Sequence, residues 1–202
     1  MSVFTTVKEN LEKLGYVVSE FESGTQAVSY LTDTIKGETI GIGGSMTIHE
    51  LGAFEALSRN NTVWCHTYVP EGMTGKEVIQ KEREAEIYFS SVNGLSENGE
   101  IINIDGSCNR VADIFYGHKK VYLIVGKNKL AENCEAAIYR ARNVAAPKNA
   151  RRLHRDTPCA KGEEKCYDCK SPDRICKGLC VMLGKPSTGN FEVVLINENL
   201  GY

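Results

Sequence analysis

Five of the eight cysteines in the chain fall within residues 159–180, spaced Cys159-x6-Cys166-x2-Cys169-x6-Cys176-x3-Cys180. A C-x2-C pair brings two sulfurs to one turn, so both can bind the same metal, and two further thiolates complete a four-thiolate set. Sulfur donors suit either Zn²⁺ or an iron–sulfur cluster. Pro158, Gly162 and Pro172 fit a loop wrapped around an ion better than a helix or strand. In a reducing compartment such a cluster points to metal rather than disulfides. Cys65, Cys108 and Cys134 lie outside it and read as small buried hydrophobes.

Two other stretches carry groups that can hold a ligand. Gly41-Ile42-Gly43-Gly44-Ser45 follows an apolar strand and opens a helix. Glycines there let backbone N–H groups approach an anion, and a helix start favours negative charge. Gly41, Gly43, Gly44, Ser45, Thr47 and Glu50 are the candidate contacts from this turn, while His49 reads as a surface or capping residue. The spacing is not G-x-G-x-x-G, and no P-loop lysine is present. The second stretch, residues 91–110, is unusually rich in amides and carboxylates: Asn93, Asn103, Asp105, Asn109 and Arg110. Few lysines dilute it, so its side chains are expected to be organised by hydrogen bonds. Arg110 is the candidate for a bidentate contact to a carboxylate or phosphate. Asn98-Gly99 signals a hairpin with Glu97 near its tip.

Positioning these groups requires a scaffold, and the hydrophobic pattern supplies one. Helices are expected at 3–14, 25–35, 45–58, 75–85 and 130–143. Strands are expected at 16–21, 39–42, 62–66, 87–91, 121–125 and 191–196, with a hairpin pairing 89–93 and 101–104. Val121–Val125 is wholly apolar, as in a strand covered on both faces. This alternation predicts an α/β fold with a largely parallel or mixed sheet. Residues 147–190 leave the pattern and read as a Cys-rich loop inserted before the last strand, within one domain formed by 1–146 and 191–202.

The 202 residues carry 24 Lys and Arg against 26 Asp and Glu, a formal charge of −2. That balance argues against a nucleic-acid or membrane-surface protein. The longest apolar runs are too short for a membrane span, and MSVFTTVKEN lacks the features of a signal peptide. The expected location is cytoplasmic. Arg140, Arg142, Lys148, Arg151, Arg152, His154 and Arg155 form a local basic stretch, read as a solvated face balanced by nearby glutamates. No HExxH motif, P-loop or hydrolase elbow is present.

GIGGSMTIHELG at 41–52, SVNGLSENGEIINIDGSCNRVA at 91–112, VYLIVGKNK at 121–129 and RNVAAPKNARRL at 142–153 together resemble the LUD-domain family, the lactate-utilisation C-like proteins. The resemblance implies a three-layer α/β/α domain similar to the sugar-phosphate isomerase and CoA-transferase fold. It also implies a role beside iron–sulfur oxidoreductase subunits in oxidising L-lactate to pyruvate, with a small anionic metabolite or CoA-type ligand; a homo-oligomer is compatible with it. It favours Cys159, Cys166, Cys169 and Cys176 as the metal set over Cys180, and its pathway context favours [4Fe–4S] over zinc. Ser96-Glu97-Asn98-Gly99 is similar to the segment around the glutamate nucleophile of CoA transferases, which makes Glu97 the catalytic candidate. The competing expectations are a structural-zinc α/β enzyme or sensor for a sugar phosphate or acyl-CoA, and a non-enzymatic adaptor.

Overall fold

The computed structural model describes residues 2–202; Met1, the first residue of the expected domain, lies outside them. The first half of the chain runs α1 (Thr5–Lys13), β1 (Val17–Phe21), α2 (Gly24–Thr34), β2 (Thr39–Ile42), α3 (Met46–Glu50), α4 (Ala53–Leu57), β3 (Thr62–Trp64), α5 (Gly75–Glu84) and β4 (Ile87–Ser91). It continues through β5 (Gly94–Ser96), β6 (Ile101–Asp105), α6 (Asn109–Phe115), β7 (Lys120–Gly126), β8 (Leu130–Ala131) and α7 (Cys134–Arg140). The last part holds α8 (Ala146–Arg152), α9 (Pro158–Lys161), β9 (Gly178–Met182) and β10 (Asn190–Ile196).

Six strands form a central sheet in the order β1-β10-β7-β4-β2-β3, and every pairing in it is parallel. Its middle strand β7 is the apolar run recognised in the sequence, and its side chains alternate between two cores. Val121, Leu123 and Val125 pack with Phe4, which precedes α1, with Val7 and Leu11 of α1 and with Ile114 of α6. Tyr122 and Ile124 pack with Ala27 and Leu31 of α2 and Ile48, Ala53 and Leu57 of α3 and α4. Helices therefore cover both faces. Burying both faces of a parallel sheet is what selects the unbroken apolar strands.

A second sheet, β8-β5-β6-β9, stands beside the first. Leu95, Ile101 and Met182 join the α1-side core, while Ile102 and Val181 face Ala137, Ile138 and Ala141. The hairpin expected to pair 89–93 with 101–104 is shifted: residues 87–91 form β4 of the central sheet, and it is Gly94–Ser96 that pairs antiparallel with β6. β8, which is two residues long, and β9 are not among the expected strands.

Three departures from expectation have local causes. The helix expected at 45–58 is split into α3 and α4 by Gly52, whose φ is 61°. The helix expected at 130–143 begins only at Cys134, and it passes through a π-helical turn at Ala141–Ala145 directly into α8. Pro147 supplies no N–H at that junction, which favours a local change in hydrogen-bond register. The segment read as an irregular loop thus contains α8, α9 and β9, and β9 pairs antiparallel with β6 from Ile101↔Met182 to Asp105↔Gly178. Among the described residues no helix is long and apolar enough to cross a membrane.

Candidate functional site

The carboxyl ends of β2, β3, β4 and β7 open into one cleft of about 830 Å³. Open α/β sheets bind ligands at this end of their strands. Gly43 to His49 line it after β2, Cys65 to Tyr68 after β3, Ser91 to Asn93 after β4 and Lys129 after β7. Ile104 to Ser107, Asn109 and Arg110 come from the polar stretch. Residues 172–175 and Lys177, with Asn149, Arg152, Leu153, Arg155 and Tyr202, form the outer wall. The Cys-rich segment is therefore part of the cleft. The lining holds six lysines and arginines against two aspartates. Asp105 pairs with Arg110 and Asp173 with Arg155, while Lys129, Arg152, Arg174 and Lys177 take part in no ion pair among the described residues. A cleft with that excess favours an anion.

Lys129 lies at the floor and is only 3% exposed. Its Nζ sits 2.7 Å from Thr47 Oγ1 and 2.8 Å from Ser91 Oγ. Burial pushes its pKa down to about 7, with Arg140 and Arg110 adding to the effect and Glu50 opposing it. The chain's end helps to seal this floor. Gly201 N donates to Glu50 Oε2, and Thr47 Oγ1 donates to the Leu200 carbonyl. Gly201 has a φ of 58°, and a Cβ there would lie 2.6 Å from Thr47 Oγ1. Only glycine fits that approach.

His66 and Glu82 form a second chemical unit. Glu82 lies on the inward face of α5 and is fully buried. It accepts from the His66 backbone N–H, and its Oε1 and Oε2 lie 2.8 and 3.1 Å from His66 Nδ1. The carboxylate's hydrogen bond raises the His66 pKa above its ordinary value, against a smaller opposing effect of burial. It also assigns the Nδ1 proton, so Nε2 is the atom left to exchange protons with a ligand. Nε2 lies beside the glycine turn, 3.2 Å from where a Cβ on Gly44 would stand. A base oriented by a buried carboxylate is suited to general acid–base chemistry.

The residues expected from sequence are only partly brought together. Gly43, Gly44, Ser45, Thr47, Asn93, Asp105, Asn109 and Arg110 line the cleft; Gly41, Glu50, Asn103 and Glu97 do not. Gly41 is needed for packing, since a Cβ there would lie 2.4 Å from the Glu82 carbonyl oxygen. Ser45 caps α3 through Ile48 N, but that helix spans five residues, too few for a strong dipole. The polar stretch is organised internally, as expected. Arg110 donates to the Ser91 and Ile104 carbonyls and to Asn103 Oδ1 and Asn93 Oδ1. Its fork is occupied, so the anion contact expected of it falls to other cations of the cleft. Asp105 accepts from the N–H groups of Ser107, Cys108 and Val111, capping α6.

Glu97 sits at the hairpin tip, as expected, but that tip is the wrong end of the β5–β6 ladder. Asn93 and Ile104 face the cleft, whereas the Glu97 carbonyl accepts from Asn10 on α1. A nucleophile there would not meet a ligand in the cleft. The basic stretch is largely consumed: Arg142 pairs with Asp168, Lys148 and Arg151 with Glu164, and Arg155 with Asp173. Arg140 is turned inward onto the Asn128 and Asn93 carbonyls.

Cys159, Cys166, Cys169 and Cys176 all line one small second cavity of about 20 Å³, shared with Ala146, Pro147, Ala150 and Ile175. Thr157 Oγ1 lies 3.3 Å from Cys159 Sγ, and Arg142 Nη2 lies 3.6 Å from Cys166 Sγ. The Asp168 N–H also points to Cys166 Sγ, at 3.4 Å. Among the described residues no three metal-ligating side chains converge as they would around a single ion. Cys180 is on β9, outside this cavity. Of the three thiols expected to be buried, Cys65 is buried, Cys134 is half-buried and Cys108 is exposed. Cys108 precedes α6 with a φ of 62°, in a turn held by Asp105, which carries it to the surface.

A parallel α/β domain with a cationic cleft at its strand ends defines the class of protein. The family model for the LUD domain matches residues 5–196, and the chain belongs to this family, which is associated with lactate utilisation. A DUF162 family protein from Deinococcus radiodurans shares the fold, with a TM-score of 0.54 at 8% identity over 95% of this chain and 94% of that one. Weaker likenesses are eIF2B beta from Chaetomium thermophilum (TM-score 0.40, 10% identity, 56% of this chain and 44% of that) and eIF2B delta from the same organism (0.36, 17%, 64% and 53%). No curated protein matches the chain.

The His66–Glu82 pairing has a direct spectroscopic consequence. The His66 imidazole titrates above 6.5 in the wild type, so its favourable ion pair is complete below that pH and lost as pH rises through the raised value. In Glu82→Gln the midpoint falls, because burial is then opposed only by the weaker field of Asp105. A two-dimensional NMR titration of the ring checks this; an unchanged midpoint would show that Glu82 does not govern His66.

Proposed function

We propose that this LUD domain binds a small anionic metabolite, a 2-hydroxy or 2-oxo carboxylate, and acts beside iron–sulfur oxidoreductase subunits in the oxidation of L-lactate to pyruvate. The observation that carries this reading is the cationic charge of Arg152, Arg174 and Lys177 in the cleft, which no carboxylate pairs with among the described residues, above the buried Lys129 amine at its floor. The carboxylate would meet Lys129 or the outer arginines. The hydroxyl or carbonyl of the ligand would lie within reach of His66 for proton exchange.

The same proposal takes Cys159, Cys166, Cys169 and Cys176 as holders of an iron–sulfur cluster. Support comes from four thiols lining one cavity, the donor number and type that an iron–sulfur cluster takes. When bound, such a cluster would supply one-electron redox chemistry. Donors aimed at Cys166, and the positive charge of Arg174 near Cys176, would stabilise the thiolates. Ala146, Arg174 and Ile175 line both cavities, so the ligand cleft and the cysteine pocket share a wall.

The size of the cleft favours a second reading. A three-carbon acid fills little of about 830 Å³, a volume in the range that holds much larger organic ligands. A sugar phosphate or CoA-type ligand would use that room and the outer arginines.

A thermal-shift panel separates the readings. Lactate or pyruvate at 100 times its dissociation constant adds about 2.7 kcal/mol of stability. A shift with CoA esters or sugar phosphates alone would support the second reading, and no shift with any of them would favour an adaptor. For the cysteines, anaerobic incubation with iron and sulfide gives broad sulfide-to-iron charge-transfer absorbance that Cys169→Ser weakens. A colourless protein carrying one zinc would contradict the cluster.

A further inference from the structure

The hydrogen bonds around Lys129 leave one position on its nitrogen undirected, and proton counting shows what fills it. The Ser91 hydroxyl has one proton, and it lies 2.6 Å from the Ile124 carbonyl, closer than the 3.2 Å to Thr47. The Thr47 hydroxyl donates its proton to the Leu200 carbonyl. Carbonyls cannot donate, so both hydroxyls must accept from Lys129. Two N–H bonds of the amine are thereby committed to two buried oxygens. Lys129 lines the cleft, and the remaining position is the one that neither hydroxyl occupies. In the ammonium form that position is a third N–H, and in the neutral form it is a lone pair.

The surroundings favour the neutral form. No carboxylate pairs with Lys129 among the described residues, and it is almost fully buried. The charged side chains around it are Arg110 from α6, Arg140 from α7 and Glu50 from α3, two cations against one anion. A desolvated lysine near other cations is the usual setting of an amine nucleophile.

We propose that Lys129 is a covalent catalytic residue that forms a Schiff base with the carbonyl carbon of a 2-oxo carboxylate held in the cleft. The inference rests on the oxo-acid reading of the ligand given above. In the step, the Nζ lone pair forms a bond to the carbonyl carbon. The carbonyl oxygen leaves as water with two hydrogens from the amine, and a C=N bond remains. No oxidant or reductant takes part. Ser91 and Thr47 aim the lone pair, and the cationic lining attracts the carboxylate.

The test uses the full chain with pyruvate as probe. Protein and pyruvate are mixed near neutral pH, sodium cyanoborohydride is added to reduce any C=N bond to a stable amine, and peptides are mapped by mass spectrometry. The expected result is one reduced pyruvyl adduct on the peptide containing Lys129. Its formation rises with pH and is half-maximal near pH 7, following the neutral fraction. At that pH the neutral fraction of Lys129 exceeds that of an ordinary lysine on the order of a thousandfold, so surface lysines stay nearly unlabelled. Lys129→Met loses the adduct while the exposed neighbour's variant Lys127→Arg keeps it; should Lys129→Met fail to fold, the wild-type peptide map and its pH profile still decide. A pyruvate-induced thermal shift with no adduct would overturn the Schiff base and leave the oxo-acid reading intact. Absence of both would overturn the two together. Equal labelling of many lysines would likewise overturn the assignment to Lys129.

Discussion

Burying the nitrogen of Lys129 without a counter-charge is the constraint on which the site depends. Removing an ammonium ion from water is costly, and two hydroxyls repay only part of it. The fold meets the remainder by lowering the amine's pKa to about 7, so that the neutral form is well populated near neutral pH, and an arriving anion would reduce the cost of the charged form. Either response requires four separate pieces of chain to meet: the turn after β2 with Thr47, the end of β4 with Ser91, the turn after β7 and the C-terminal tail at Leu200. The parallel sheet brings three of them together because its strand ends share one edge. The tail completes the set only because Gly201 lets the backbone pass close to Thr47.

Around that floor the cleft is built by polar ties rather than by apolar packing. Arg110 draws β4, β6 and the start of α6 into one unit through four hydrogen bonds, and Asp105 caps the helix that carries it. Glu82 performs the same service for His66. The outer wall is contributed by the Cys-rich segment, anchored by β9 on β6 and by the ion pairs of Arg151 and Arg155. Whatever organises the four cysteines therefore also shapes the mouth of the cleft.

Much of this fold can be read from the chain alone, and the reasons are physical. Val121–Val125 and Phe191–Ile196 are buried on both faces, so the first is wholly apolar and the second is broken only by Glu192, which pairs with Lys120. β8 and β9 escape notice because they are short or half-exposed and show no alternation. Arg110 was visible as an ordered cation, but not that its donors would be used up by its own neighbours. The Asn98-Gly99 signal places Glu97 at a turn but not its surroundings, because local sequence does not say which end of a hairpin faces a cleft. Lys129 and His66 were missed. A lysine after a strand looks like a solvated end, and only the tertiary fold buries it. Two signals were present: His66 follows a parallel strand at its carboxyl end, where such sheets bind ligands, and Glu82 occupies the same helical face as the buried Val78.

The most direct test of this account is a titration of Lys129 itself, by NMR of the protein labelled with ¹³C at lysine Cε. The account predicts one lysine resonance that titrates near pH 7, that is absent from Lys129→Met, and that shifts when an anion occupies the cleft. A Lys129 resonance that titrates near 10.4 with the other lysines would show an ordinary solvated ammonium and contradict the account.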